Sequence, residues 1–305
     1  MKIIFAGTSE FGIPTLEKLK TSHELILVVT QPDKPTGRNQ TLTPPPVKVW
    51  ALKNNISVIQ PEKLIDSKFQ IRDSSPDLIL VAAYGQIIPK EILDIPKFGA
   101  INIHGSILPK YRGASPIQAT ILNGDVRAGI TLIKMDEKMD HGPVIAEDYI
   151  PLTGAETFPE LYRKLSAVSA ELVSRILPDW FAGKIKSYEQ KHEQATFTRL
   201  LTRADGKIDW AKPAVEIERK IRALNPEPGT WTTLGGKTVK ILAVQVLSDH
   251  KIELPGKLYV STEGLAVKCV DNSLLLKKVK PEGKNEMTGK DYLNGLKTLN
   301  DKLFI

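Results

Sequence analysis

The chain has 305 residues, enough for two domains whose cores need no disulfide or metal staples. Hydrophobic residues make up 41% and charged residues 25%, which excludes wholesale disorder; the single cysteine, Cys269, excludes an internal disulfide or a four-cysteine zinc site and points to a reducing compartment. The net charge of +7 is lopsided: Met1 to Lys184 carries 21 Lys and Arg against 20 Asp and Glu, and Ile185 to Ile305 carries 21 against 15. A basic excess of this kind reads either as a solvated lysine-rich surface or as attraction for a polyanion such as nucleic acid.

In chain order, Lys2 to Ala6 is an apolar run that ends in a glycine turn, followed by an expected helix with Phe11, Leu16 and Leu19 facing inward. The run stops at Gly7-Thr8-Ser9-Glu10, and nothing approaches the roughly 18 apolar residues that span a bilayer, so no signal-peptide core, no membrane partner and a cytoplasmic location are expected. Gln31 to Pro46 holds five prolines in sixteen residues, which predicts an irregular loop, either a binding loop or a plain surface one. Leu25 to Val29, Asp77 to Ala83, Ala100 to His104 and Gly129 to Met135 repeat the buried-strand character, with helical stretches between several of them. The alternation predicts an α/β fold with a mostly parallel sheet, helices on both faces and ligands beyond the carboxyl ends of the strands.

Leu161, Leu165, Val168, Leu172 and Ile176 recur every three or four positions and predict a long amphipathic helix from Phe158 to Trp180, ended by Gly183. The polar stretch after it has no apolar period. A helix over Val215 to Leu224 and short strands over Thr230–Leu234, Thr238–Leu247, Lys257–Val260, Leu265–Val270 and Ser273–Val279 predict a small β-rich second domain, read as a barrel. The expected division is 1–186, a linker over 187–204, and 205–305.

The first turn, Gly7 to Gly12, is neither a phosphate loop nor a dinucleotide fingerprint, and His104-Gly105-Ser106 lacks the nucleophile elbow of serine hydrolases. Asn102 and His104, two apart on a strand, project from one face. A histidine at a strand end is also commonly structural. Asp140, in the turn before Gly142-Pro143, is expected at the same sheet edge. Together the three make an acid/base set: an amide donor for an oxyanion, an imidazole and a carboxylate partner. Zinc is the rival reading; it would take His104, Asp140 and His141 without any ligand-spaced motif, so no metal is expected.

Asn102-Ile103-His104-Gly105-Ser106-Ile107-Leu108-Pro109, Tyr111-Arg112-Gly113-Ala114-Ser115-Pro116-Ile117-Gln118 and Asp140-His141-Gly142-Pro143 resemble the formyltransferases that use 10-formyltetrahydrofolate. The likeness to members acting on methionyl-tRNA runs through Ile4 to Thr8, Gln31 to Arg38, Val81 to Gly85, Asp205 to Trp210 and Ile221 to Gly229. It implies a Rossmann-like catalytic domain and a C-terminal barrel like an oligonucleotide-binding fold. It also implies formyl transfer from 10-formyltetrahydrofolate to the amino group of methionine on initiator tRNA, for translation initiation. By motif, Asn102, His104 and Asp140 are the catalytic set, and Ser106, Ile107, Leu108 and Pro109 contact the folate. Tyr84, Gly85, Ile88 and Pro89 line the pterin pocket, and Arg38 engages the acceptor end of the tRNA. The chain departs from the family in Asn39 to Thr43, uncharged where a lysine-rich stretch is common, so the basic C-terminal part is expected to supply more of the attraction. A monomer is expected. The alternatives are a formyltransferase for a small amine, a nucleotide sugar or glycinamide ribonucleotide, and an RNA-binding module on an inactive scaffold.

Overall fold

The computed structural model describes residues 1–37, 39–248, 254–296, 299 and 302–305. The apolar runs form the strands β1 (Lys2–Gly7), β2 (Glu24–Val29), β3 (Lys34–Thr36), β4 (Thr41–Thr43), β5 (Val58–Ile59), β6 (Leu78–Ala82), β7 (Ala100–His104), β8 (Arg112–Gly113), β9 (Arg127–Lys134), β10 (Val144–Pro151) and β11 (Phe197–Thr198). Between them lie α1 (Ile13–Ser22), α2 (Pro46–Lys53), α3 (Lys68–Asp73), α4 (Lys90–Leu93), α5 (Pro116–Asn123) and α6 (Phe158–Phe181).

Seven strands make one sheet in the order β10-β9-β7-β6-β1-β2-β5. The pairs joining β5, β2, β1, β6 and β7 are parallel, and β9 and β10 add two antiparallel pairs at one edge. Ile4 and Ala6 of β1 share a cluster with Val29, Val81, Ile71 of α3 and Ile92 of α4, while their neighbours Ile3 and Phe5 on the other face are equally buried. A parallel sheet buried on both faces needs such continuous apolar strands. On α6 the buried stripe is Leu161, Leu165, Leu172, Val173 and Leu177, with Val168 and Ile176 partly exposed. The chain order reverses between β1 and β6, a switch point of the kind at which open α/β sheets bind ligands beyond the carboxyl ends of their strands.

Two local expectations need correction. Residues 31–46 are not irregular throughout: β3 and β4 pair as an antiparallel hairpin with Pro35 opposite Leu42. In a two-stranded ribbon every residue lies on an edge, so a proline without an N–H is tolerated. The second concerns 187–198: Phe197 and Thr198 of β11 pair with Arg112 and Gly113 of β8, so this stretch joins the first compact unit rather than crossing free between domains.

That unit comprises 1–116, 127–151 and 159–199; the second comprises 117–126, 152–158 and 200–305. In the second, α7 (Ala214–Leu224) packs with β12 (Trp231–Leu234), β13 (Lys237–Leu247), β14 (Leu258–Ser261), β15 (Gly264–Lys268), β16 (Ser273–Pro281), β17 (Met287–Thr288) and α8 (Gly289–Asn294) around one core. The strands form an antiparallel curled sheet in the order β12-β13-β16-β15-β14, with β17 on β16. Residues 302–305 join its two edges: Thr233 and Ile305 exchange backbone bonds on β12, while Phe304 N donates to Gly256 O and Leu258 N to Lys302 O at β14. Phe304 is buried and stacks on Trp210. No helix among the described residues is long and apolar enough to cross a membrane.

Candidate active site

On β7 the two-residue period sends Asn102 and His104 off one face. His104 is buried, and its Nε2 lies 3.0 Å from the carbonyl oxygen of Tyr111. A carbonyl only accepts, so Nε2 is the donor and carries a proton. The other ring nitrogen, Nδ1, faces Asp140 Oδ1 at 3.5 Å, too long for a good hydrogen bond. Asn102 donates from Nδ2 to the same Oδ1 at 3.1 Å, and the carboxylate partner fixes which end of the amide is nitrogen. Its second amide hydrogen has no partner among the described residues.

Asp140 reaches this pair by a loop that doubles back along the sheet. β9 is antiparallel to β7, pairing His104 with Thr131 and Ile101 with Lys134, so β9 ends away from His104. Residues 136–143 double back before Val144 pairs with Ile133, and lay Asp140 against the middle of β7, where Asn102 pairs with the same Ile133. Asp140 itself has φ +48, a left-handed conformation that aspartate tolerates better than most residues. Two residues on, a Cβ on Gly142 would stand 1.8 Å from the Lys134 carbonyl oxygen, so the loop requires glycine there. Asp140 Oδ2 accepts from Gly113 N at 2.7 Å, which leaves its carboxylate held from two sides.

The turn after β7 is knitted to β9. Thr131 Oγ1 donates to Ser106 O at 2.7 Å and accepts from Leu108 N at 3.1 Å, while Ser106 Oγ donates to Lys110 O. Ser106 and Leu108 are therefore buried in the turn, Leu108 against Ile133 and Val144, while Ile107 and Pro109 remain partly exposed. Glu147 lies beneath, 3.5 Å from Thr131 Oγ1, and burial raises its carboxyl above the usual range.

An open cleft of about 540 Å³ lies beyond the ends of β2 and β6, lined by Gln31, Pro32, Lys34, Gly85, Gln86 and Pro89 among others. Gln31 Nε2 donates to the carbonyls of Tyr84 and Gly85 at 3.1 and 3.0 Å, tying the two loops together. Asp33 anchors the hairpin base; hydrogen bonds from Lys48 and Gln60 hold its carboxyl below the usual range. Of the four residues expected to line a pterin pocket, Gly85 and Pro89 border this cleft, whereas Tyr84 and Ile88 sit in the core. Burial pushes the Tyr84 hydroxyl up to about 12. Arg38 lies outside the described residues. The rival zinc set is not assembled: His141 Nδ1 lies 2.6 Å from Asp136 Oδ2, and its ring stacks on His192.

Residues 1–177 match the family described as Formyl transferase, and residues 200–297 match Formyl transferase, C-terminal domain. The chain is 41% identical over 299 residues to the methionyl-tRNA formyltransferase of Myxococcus xanthus, covering 97% of this chain and 95% of that one. Against that of Enterococcus faecalis it is 40% identical over 300 residues, covering 97% and 96%. The chain belongs to the methionyl-tRNA formyltransferase family. Its fold is shared with an N-formyltransferase from Helicobacter canadensis solved with folinic acid and dTDP-3-aminofucose, at TM-score 0.68 and 18% identity over 90% of this chain and 98% of that one. HypX from Aquifex aeolicus in complex with tetrahydrofolic acid gives TM-score 0.63 and 17% identity over 96% of this chain and 47% of that one.

In this member of the methionyl-tRNA formyltransferase family, the sequence assigns no role to several residues that shape the site, although Arg112 and Gly113 stand in one of the motifs that carry the resemblance. Gly113 gives its N–H to Asp140, Thr131 pins the turn after β7, and Gln190 reaches the Asp140 loop from the polar stretch while Arg112 of β8 bonds to Gln190. The motif marks Arg112 and Gly113 without their roles, and sequence patterns give little signal for Thr131 and Gln190, because each acts through a contact between distant segments.

Proposed function

We propose that Asn102, His104 and Asp140 carry the transfer of a formyl group from 10-formyltetrahydrofolate to the amino group of methionine on initiator methionyl-tRNA, by a monomer in the cytoplasm. The reading rests on one observation: the Asn102 amide, which keeps its second hydrogen spare, and the Nδ1 of His104 both face one oxygen of the Asp140 carboxylate, Oδ1. The 10-formyl donor supplies an electrophilic amide carbon when bound. The cleft beyond β2 and β6 falls within the usual size for small-molecule sites, which supports a ligand of that class there. Gly85, Pro89 and the turn of Ser106, Ile107, Leu108 and Pro109 would hold the ligand, with Tyr84 and Ile88 supporting the loop from the core.

Asn102 donates its second amide hydrogen to the formyl oxygen as negative charge grows there, and His104 donates from Nδ1 in its charged form. Nε2, committed to the Tyr111 carbonyl, keeps the ring in register for that donation. Asp140 compensates the ring's charge and takes up, directly or through a water, the proton lost by the attacking amine, returning it to the departing nitrogen. Arg38 engages the acceptor end of the tRNA, and the basic C-terminal part adds salt-sensitive attraction.

The test is an assay with 10-formyltetrahydrofolate and methionine-charged initiator tRNA beside charged elongator tRNA. Formylation of the initiator in clear preference is the expected result. Transfer only to a sugar-linked or other small amine overturns the acceptor assignment, and folate binding without transfer to any amine overturns the enzyme reading. Sedimentation at micromolar concentration is expected to give the monomer mass.

A further inference from the structure

We infer that Gln190 is a positioning residue for Asp140, locked in turn by Arg112; this rests on the proposed role of Asp140. Gln190 lies far from Asp140 in sequence, yet the residue is only 6% exposed and its amide spends both of its hydrogens on the Asp140 loop. Nε2 donates to Asp140 O at 2.9 Å and to Gly142 O at 2.8 Å, bracketing the left-handed residue. The orientation is unambiguous, since a flipped amide would set its oxygen against two carbonyls.

Oε1 accepts from Arg112 at both Nε, 3.2 Å, and Nη2, 2.7 Å. Arg112 is only 4% exposed and has no carboxylate partner among the described residues; its guanidinium meets Gln190, the Nδ1 of His192 and the face of Phe197. Retaining a buried cation on neutral partners is costly, which points to a geometric purpose. The next residue, Gly113, gives its N–H to Asp140 Oδ2. Arg112 therefore links the two supports of Asp140: its side chain holds Gln190, which bonds the Asp140 backbone, and its main chain continues into Gly113, which bonds the carboxylate. Both ends of the aspartate are set by this clamp.

The experiment is a double-substitution cycle on the full chain, read as kcat and KM with charged initiator tRNA, with active protein quantified by folate binding. Gln190→Ala is expected to lower kcat by about tenfold to a hundredfold, the scale of a misplacement of about 1 Å, with KM for the folate changed less than about twofold. Added to Asp140→Ala it is expected to cause almost no further loss, because a residue acting through Asp140 has nothing left to position. Gln190→Glu keeps the shape and the Arg112 contact but loses both donated hydrogens, and is expected to follow Gln190→Ala. A full multiplicative loss in the double variant, or normal kcat in Gln190→Ala, overturns the clamp. Normal kcat in Asp140→Ala alone instead overturns the role given to Asp140.

Discussion

Strand β7 and the loop 136–143 deliver side chains to the same point by different physics. On β7, Asn102 and His104 share a face because any strand alternates its side chains, and the ladders to β6 and β9 set their spacing. The loop has no such period. Asp140 is held by a left-handed backbone, an obligatory glycine two residues on, and bonds from Gly113 and Gln190, which lie 27 and 50 residues away in the chain. Strand-borne groups are thus placed by local rules, and the loop-borne group by long-range contacts that fail one at a time.

The largest expected effects come from the groups themselves. Asn102→Ala, His104→Ala and Asp140→Ala should each lower turnover by at least about a hundredfold, the usual scale for losing an oxyanion donor, with folding intact by circular dichroism. Near-normal turnover in one of them removes it from the set. Next is Phe304→Ala, in the segment that closes the barrel between β12 and β14, expected to destabilise the second unit by about 3 kcal/mol in denaturant titration. A loss under about 1 kcal/mol would mean the closure is not supported by that side chain.

Gly142→Ala probes the loop without touching a reacting group. The added methyl meets the Lys134 carbonyl, so Asp140 should be displaced and kcat fall by about tenfold or more. Ile103→Val, between Asn102 and His104 on the strand, should cost about 1 kcal/mol of stability and leave kcat within about twofold. If the two substitutions reduce kcat alike, the contrast between strand and loop is lost. The smallest effect is chemical: burial pushes the Cys269 thiol up to about 12, so iodoacetamide at about pH 8 should leave it unmodified by mass spectrometry until the protein unfolds.

Much of the fold was legible because it follows from periodicity. The strands over Ala100–His104, Thr238–Leu247 and Ser273–Val279 and the helix over Phe158–Trp180 stand within two residues of their expected limits. The hairpin around Pro35 was not legible, since a proline count signals irregularity and carries no information about an exposed ribbon. Nor was the inward placement of Tyr84 and Ile88, because a motif names residues without saying which of them face the cleft and which support it from behind.

By itself the sequence determined the two-part α/β and β architecture, the family, and the pairing of Asn102 with His104, because strand and helix periods and short motifs are local properties of the chain. Only the tertiary structure decided how Asp140 arrives, that Gln190, held by Arg112, grips its loop, and that residues 302–305 close the barrel. Those are contacts between segments far apart in sequence. Their geometry depends on strand direction and loop path, which no local pattern of residues encodes.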